Sequence, residues 1–132
     1  MECSERNGGK MFPHRTHQNG TSIDFGTPLL KNGKPYHFHH HFGISHYLMK
    51  FDKQGISKLN KQVTIDFETM AKHLLILEKT ARKNRMYIKK VIFKLDLKDD
   101  LFKSRSGRKL KRSGIYFARK LPKLIDEVHD DH

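Results

Sequence analysis

Two histidines three residues apart, His14 and His17, precede a carboxylate, Asp24, that follows His17 at a spacing of H-x6-D. Between them lies Gln18-Asn19-Gly20. Asn and Gly tolerate the left-handed backbone that a tight reversal needs, so a turn is predicted there, with Thr21 to Phe25 as the entrance to a short strand. The chain would present an imidazole, reverse, and bring a carboxylate back beside it. Nitrogen and oxygen donors from neighbouring segments are the ligand chemistry of a catalytic Zn²⁺ site, which also needs a third protein ligand and one open position. The other dense acid and imidazole cluster near a terminus is His129, Asp130, Asp131 and His132.

The pairing of His14 and His17-x6-Asp24 with a terminal His-Asp-Asp-His resembles the penicillin-insensitive murein endopeptidases. These belong to a wider group of zinc peptidases that includes D-Ala-D-Ala dipeptidases, lysostaphin-like enzymes and the hedgehog fold. The group pattern is H-x6-D followed far downstream by H-x-H, and the murein endopeptidase ending reads H-x-x-H-x-H. His129 and His132 match the first two histidines of that ending, and the chain stops two residues short of the third. The resemblance spans nearly the whole chain, but its specific part is two short segments.

The resemblance implies Zn²⁺ as cofactor, with His17 and Asp24 as metal ligands and the histidine after His132 as the third. His132 matches the family position beside the metal that acts as acid/base or transition-state stabiliser. His14 and His129 match accessory histidines of the site, and Asp130 and Asp131 either hold imidazole tautomers or are simply exposed. The implied activity is hydrolysis of the amide between D-alanine and diaminopimelate in cross-linked peptidoglycan, by a metalloprotease of the periplasm and cell wall. The expectation that goes with it is a single zinc-peptidase-like domain over 1–132, incomplete at both ends. A non-catalytic member that still binds murein is a further outcome. Without the resemblance, His17 and Asp24 reduce to a surface imidazole and an Asx-stabilised turn.

A second imidazole group, His37, His39, His40, His41 and His46, looks like a metal cluster. His37, His39 and His41 would share one face of a strand and His40 would not. A solvent-facing run is the reading adopted, with incidental binding of Zn²⁺ or Ni²⁺ the alternative.

Bulk properties narrow the partners. The 132 residues make one domain with a modest core. The formal charge of +13 favours anionic partners: carboxylate-bearing wall peptides, nucleic acid or anionic lipid. A small basic nucleic-acid-binding protein is the alternative function. It rests on charge alone, since no zinc finger, RNP-type aromatic motif or helix-turn-helix spacing is present. The lone Cys3 excludes an intramolecular disulfide. No segment reaches the ~20 apolar residues of a membrane span. The first ten residues lack the apolar core of a secretory signal, so an exported enzyme would carry one ahead of them.

The elements that must position these groups follow from patterning. Residues 1 to 12 read as loop. Asn32-Gly33 predicts a two-residue hairpin. Residues 44 to 59 read as strand, turn at Asp52 to Gly55, and strand. Phe67, Met70, Ala71, Leu74, Leu75 and Ala81 at helical spacing predict a helix from Asp66, its N-cap, to Asn84, a candidate left-handed stop; His73 falls off the apolar line. Met86 to Leu97 alternates with period two and reads as the best strand, central in the sheet. Lys98 to Arg112 reads as a polar connection turning at Ser106-Gly107. It is either a solvated loop, the reading preferred, or an anion-binding lip beside the active site. Ile115, Phe117 and Leu121 predict a further strand. The sum is an α+β fold, a small antiparallel sheet packed with one main helix.

Overall fold

The structure is a computed structural model that describes residues 2–3, 21–37 and 49–119. Two short strands, β1 (Glu2–Cys3) and β2 (Ile23–Asp24), pair antiparallel. A three-stranded antiparallel sheet follows, built from β3 (Leu29–Lys31), β4 (Lys34–Tyr36) and β5 (Val63–Ile65) in the order β4-β3-β5. Helix α1 (Phe67–Lys83) is the long element. Two short helices, α2 (Lys98–Lys103) and α3 (Arg105–Lys111), complete the α+β architecture.

The hairpin forms where Asn32-Gly33 predicts it. Asn32 has φ 52° and Gly33 has φ 75°, the positive pair that a two-residue reversal between twisted strands requires. β3 lies in the middle because its other edge takes β5, with Leu29 opposite Ile65 and Lys31 opposite Val63. Leu29, Val63 and Ile65 are buried on one sheet face, and Phe51 joins them from the preceding loop. The predicted turn at Asp52 to Gly55 is present. The Gln54 and Ile56 N–H groups donate to Asp52 Oδ1, and Phe51 and Ser57 form a single antiparallel bridge across it.

α1 starts and stops by its own side chains. Asp66 Oδ1 accepts from Thr69 N–H at 3.0 Å, a side-chain cap for one of the four N–H groups with no partner inside the helix. At the other end the left-handed residue is Arg85 (φ 57°), not Asn84 (φ −95°). Met86 N–H donates to Ala81 C=O and Arg85 N–H to Arg82 C=O, the paired bonds of a Schellman stop. Asn84 instead donates its side-chain amide to Thr80 C=O. Ala71 is fully buried, and Phe67, Met70, Leu74 and Leu75 pack around it as the helical spacing predicts.

Two expectations fail after α1. Met86 to Leu97 is not a strand. Its first residues are largely exposed; it makes one parallel bridge between Val91 and Phe117 and closes into a 3₁₀ turn at Leu95–Leu97. The alternation located the buried groups Phe93 and Leu97 correctly. A strand needs a run of paired residues, and among the described residues this segment pairs at one point, Val91 N–H to Tyr116 C=O and Ala118 N–H to Val91 C=O. Of the strand expected at Ile115, Phe117 and Leu121, Phe117 supplies that bridge, Ile115 is in no strand, and Leu121 lies outside the described residues.

Lys98 to Arg112 is not a loop but the α2–α3 pair. Ser104 ends α2 and caps α3, its Oγ accepting from Gly107 N–H at 2.9 Å. Ser106 and Gly107, expected in an exposed turn, are buried. Leu97, Leu101 and Leu110 are fully buried between these helices and α1. Each such side chain contributes about 1.5–3 kcal/mol of burial. Residues 1 to 12 differ in part from the predicted loop, since Glu2–Cys3 pairs with β2.

Candidate functional site

Asp24 is the one predicted site residue among the described residues. It ends β2, within the short strand expected over Thr21 to Phe25, and is half-buried; the expected turn at Gln18-Asn19-Gly20 lies outside the described residues. Two contacts fix its surroundings. β1 runs antiparallel along β2 in a register that sets Glu2 opposite Asp24 and Cys3 opposite Ile23. The next residue, Phe25, meets His73 of α1 edge to face, ring centroids 4.5 Å apart. Such a pair contributes about 0.5–1.5 kcal/mol and ties the end of β2 to the long helix. The sequence shows His73 off the apolar line of α1, and that position is what lets it receive Phe25.

His14, His17, His129 and His132 lie outside the described residues, as do Asp130 and Asp131. Of the second histidine group, His37 is exposed just after β4, while His39, His40, His41 and His46 lie outside. Among the described residues, no three His, Cys, Asp or Glu side chains come together as a metal-holding group. The zinc ligand set is therefore testable here only through Asp24. A half-buried carboxylate on a paired strand fits the oxygen ligand of such a site: its backbone is held, and part of its surface stays accessible to a cation.

The register adds one acid that the sequence reading missed. No motif announces Glu2; only the β1–β2 pairing places it opposite Asp24.

A second carboxylate is committed elsewhere. Glu68, in the first turn of α1, receives Ser106 N–H at 2.8 Å on one oxygen and Ser106 O–H at 2.7 Å on the other. The Ser106 N–H bond, then its hydroxyl, then Lys72 nearby hold the Glu68 carboxyl below its usual value. Glu68 is thus a lock between α1 and the start of α3, not an acid/base group. The sequence carries its helix position but no hint of Ser106.

The α2–α3 pair is joined through the single residue Ser104. A helix-turn-helix uses a three- to four-residue turn, so this pair does not have that geometry. Among the described residues, no helix is long and apolar enough to cross a membrane.

Comparison with protein-family models, with curated proteins and with solved structures finds no match to the chain. The class established is a small α+β protein, with a three-stranded antiparallel sheet and three α-helices among the described residues.

Proposed function

We propose that the chain is a zinc metallopeptidase acting on the amide cross-links of peptidoglycan, on a fold of the hedgehog and D-Ala-D-Ala peptidase type, and that it works on the cell-wall side of the membrane. The observation that carries this reading is the His17-x6-Asp24 spacing, with Asp24 half-buried at the end of a paired strand.

Asp24 and His17 would hold the metal. Bound Zn²⁺ would bring the pKa of a water toward neutrality and polarise the scissile carbonyl. The remaining roles fall to the chain itself. His132 takes the acid/base role beside the reacting amide, and His14 and His129 orient polar groups around it. Phe25, seated on His73, fixes the strand end that carries Asp24. The excess of cations attracts the free carboxylates that wall peptides carry.

Two measurements test the reading. In calorimetric titration with Zn²⁺, His17→Ala and Asp24→Ala each weaken binding by ~10-fold or more, the loss that even indirect partners of a metal ligand produce. Affinities equal to the parent's would place any zinc elsewhere, with the His37–His41 run the first alternative. In the second measurement the chain is extended by any residue and then a histidine, to complete H-x-H. It is then incubated with purified cross-linked murein, with and without chelator. Chelator-sensitive release of monomeric muropeptides is expected; none, with zinc bound, overturns the peptidase reading.

A further inference from the structure

Helix α3 carries its charge on one side. Arg105, Lys109 and Arg112 recur at i, i+4 and i+7, with Arg108 between them at i+3. That spacing is a single stripe of an α-helix, ~10 Å from end to end at 1.5 Å per residue. Arg112 caps α3 with helical backbone angles, so the stripe continues through it. All four side chains are exposed, while Ser106, Gly107 and Leu110 on the opposite side are buried.

Arg108 donates one Nη to Lys103 C=O at 2.8 Å. Among the described residues, no acidic side chain pairs with Arg105, Lys109 or Arg112. Like charges at i+3 and i+4 repel, so the stripe works against its own helix, and an anionic partner would remove that cost.

The stripe is not a lip of the Asp24 site. α3 is tied to Glu68, whereas the Asp24 strand is tied through Phe25 to His73. Those two α1 positions are separated by about 140° around the helix axis at 3.6 residues per turn. The stripe and the candidate site therefore sit on different flanks of α1.

We propose that the α3 stripe is an anchoring surface for the free carboxylates of murein stem peptides. The polymer's identity rests on the reading of the chain as a murein enzyme. Guanidinium forks match carboxylates two bonds at a time, and several weak contacts to one immobile polymer raise the effective concentration of the site that cuts it. Three features favour this partner over other polyanions. A helix that lies in a lipid surface needs a free apolar face, and α3 has Leu110 buried in the core. A groove-reading helix follows a longer turn than Ser104 provides. A stacking platform for bases needs aromatic side chains, and the stripe has none.

The test is co-sedimentation of the chain with purified insoluble murein at low and high salt, with thermal melting and Zn²⁺ affinity as controls. Arg105→Gln/Lys109→Gln/Arg112→Gln is expected to weaken low-salt binding about tenfold, the sum of three modest exposed pairs. Lys53→Gln/Lys58→Gln/Lys61→Gln removes the same charge from the exposed loop before β5 and is expected to bind as the parent does. Murein whose carboxylates have been converted to amides is expected to lose the parent chain. Should the triple variant fail to fold, the single variants Arg105→Gln, Lys109→Gln and Arg112→Gln are compared with Lys58→Gln in the same assay, and only the first three are expected to weaken binding.

Equal losses in both triple variants would assign the binding to bulk charge and overturn the proposal. So would undiminished sedimentation with amidated murein. A stripe variant that keeps murein but loses a DNA fragment would transfer the surface to nucleic acid. A chain that sediments through the stripe yet fails to cleave murein once H-x-H is completed would sink the peptidase reading and leave the anchor standing.

Discussion

Asp24 and Glu68 are both carboxylates near α1, and their partners separate their roles. Glu68 has both oxygens engaged by Ser106 at the start of α3; Asp24 lies at the end of β2, next to Phe25, which packs on His73. Phe25→Ala should therefore weaken Zn²⁺ binding less than Asp24→Ala does, because it loosens the ligand without deleting it; calorimetry on the two variants measures the order. For Glu68 the prediction concerns pH. Its folded carboxyl titrates below the ordinary value, first because of Ser106 N–H, then the hydroxyl, then Lys72. The stabilisation is complete above the unfolded carboxylate pKa and is lost as pH falls through the lowered folded value. Glu68→Gln should accordingly melt below the parent at neutral pH, with the two melting temperatures converging in acid. Parallel curves would mean that the Ser106 contact does not distinguish the charged form.

The helices owe their limits to local devices that can each be removed singly. Arg85 occupies a left-handed position, which costs a non-glycine residue about 1–2 kcal/mol. Glycine there gives back part of that in unfolded-chain entropy, so Arg85→Gly should stabilise by about 0.5–1 kcal/mol in urea unfolding, with the slope unchanged. Gly107 has the opposite constraint. A Cβ at that position would collide with the Leu101 carbonyl and crowd Ser104 Oγ. Gly107→Ala should destabilise by about 1–3 kcal/mol or more, by forcing α3 off α2. A variant as stable as the parent would show that the α2–α3 contact is looser than the packing of Leu101 and Leu110 implies.

Among the described residues, the core is assembled without the candidate ligand Asp24. Phe51, Leu97, Leu101 and Leu110 are almost wholly buried between the sheet, α1 and the α2–α3 pair, while Asp24 lies outside that cluster. Chelator should therefore leave the helical circular dichroism intact. The melting temperature should fall only by the ligand-linked amount, which grows with free zinc over its dissociation constant. Loss of helix on chelation would mean that the metal holds the fold itself, as in structural zinc domains. The net charge of +13 acts over the same whole, drawing anionic partners at a rate that salt should depress.

Where a signal was local, the sequence alone determined the outcome. Asn32-Gly33 made its hairpin, Asp66 capped its helix, the apolar spacing from Phe67 to Leu75 chose the buried face of α1, and Asp24 fell on a short strand within Thr21 to Phe25. Local bonds and 3.6-residue periodicity need no distant partner. The candidate ligands were legible as a spacing, His17-x6-Asp24, and of these Asp24 alone lies among the described residues. What tertiary structure decided is whatever depends on a second segment arriving. Met86 to Leu97 had a strand's alternation but, among the described residues, meets a second segment only at the Val91–Phe117 bridge, so Phe93 and Leu97 are buried on an irregular run and a 3₁₀ turn. Ser106-Gly107 had a turn's composition, but Ser104 capped a helix before it, Glu68 bound Ser106, and Gly107 allowed close approach to Leu101. The same arrival buried Leu110 and left Arg105, Arg108, Lys109 and Arg112 together on the outside. A run of basic residues became an ordered stripe only because the other side of its helix was claimed by the core.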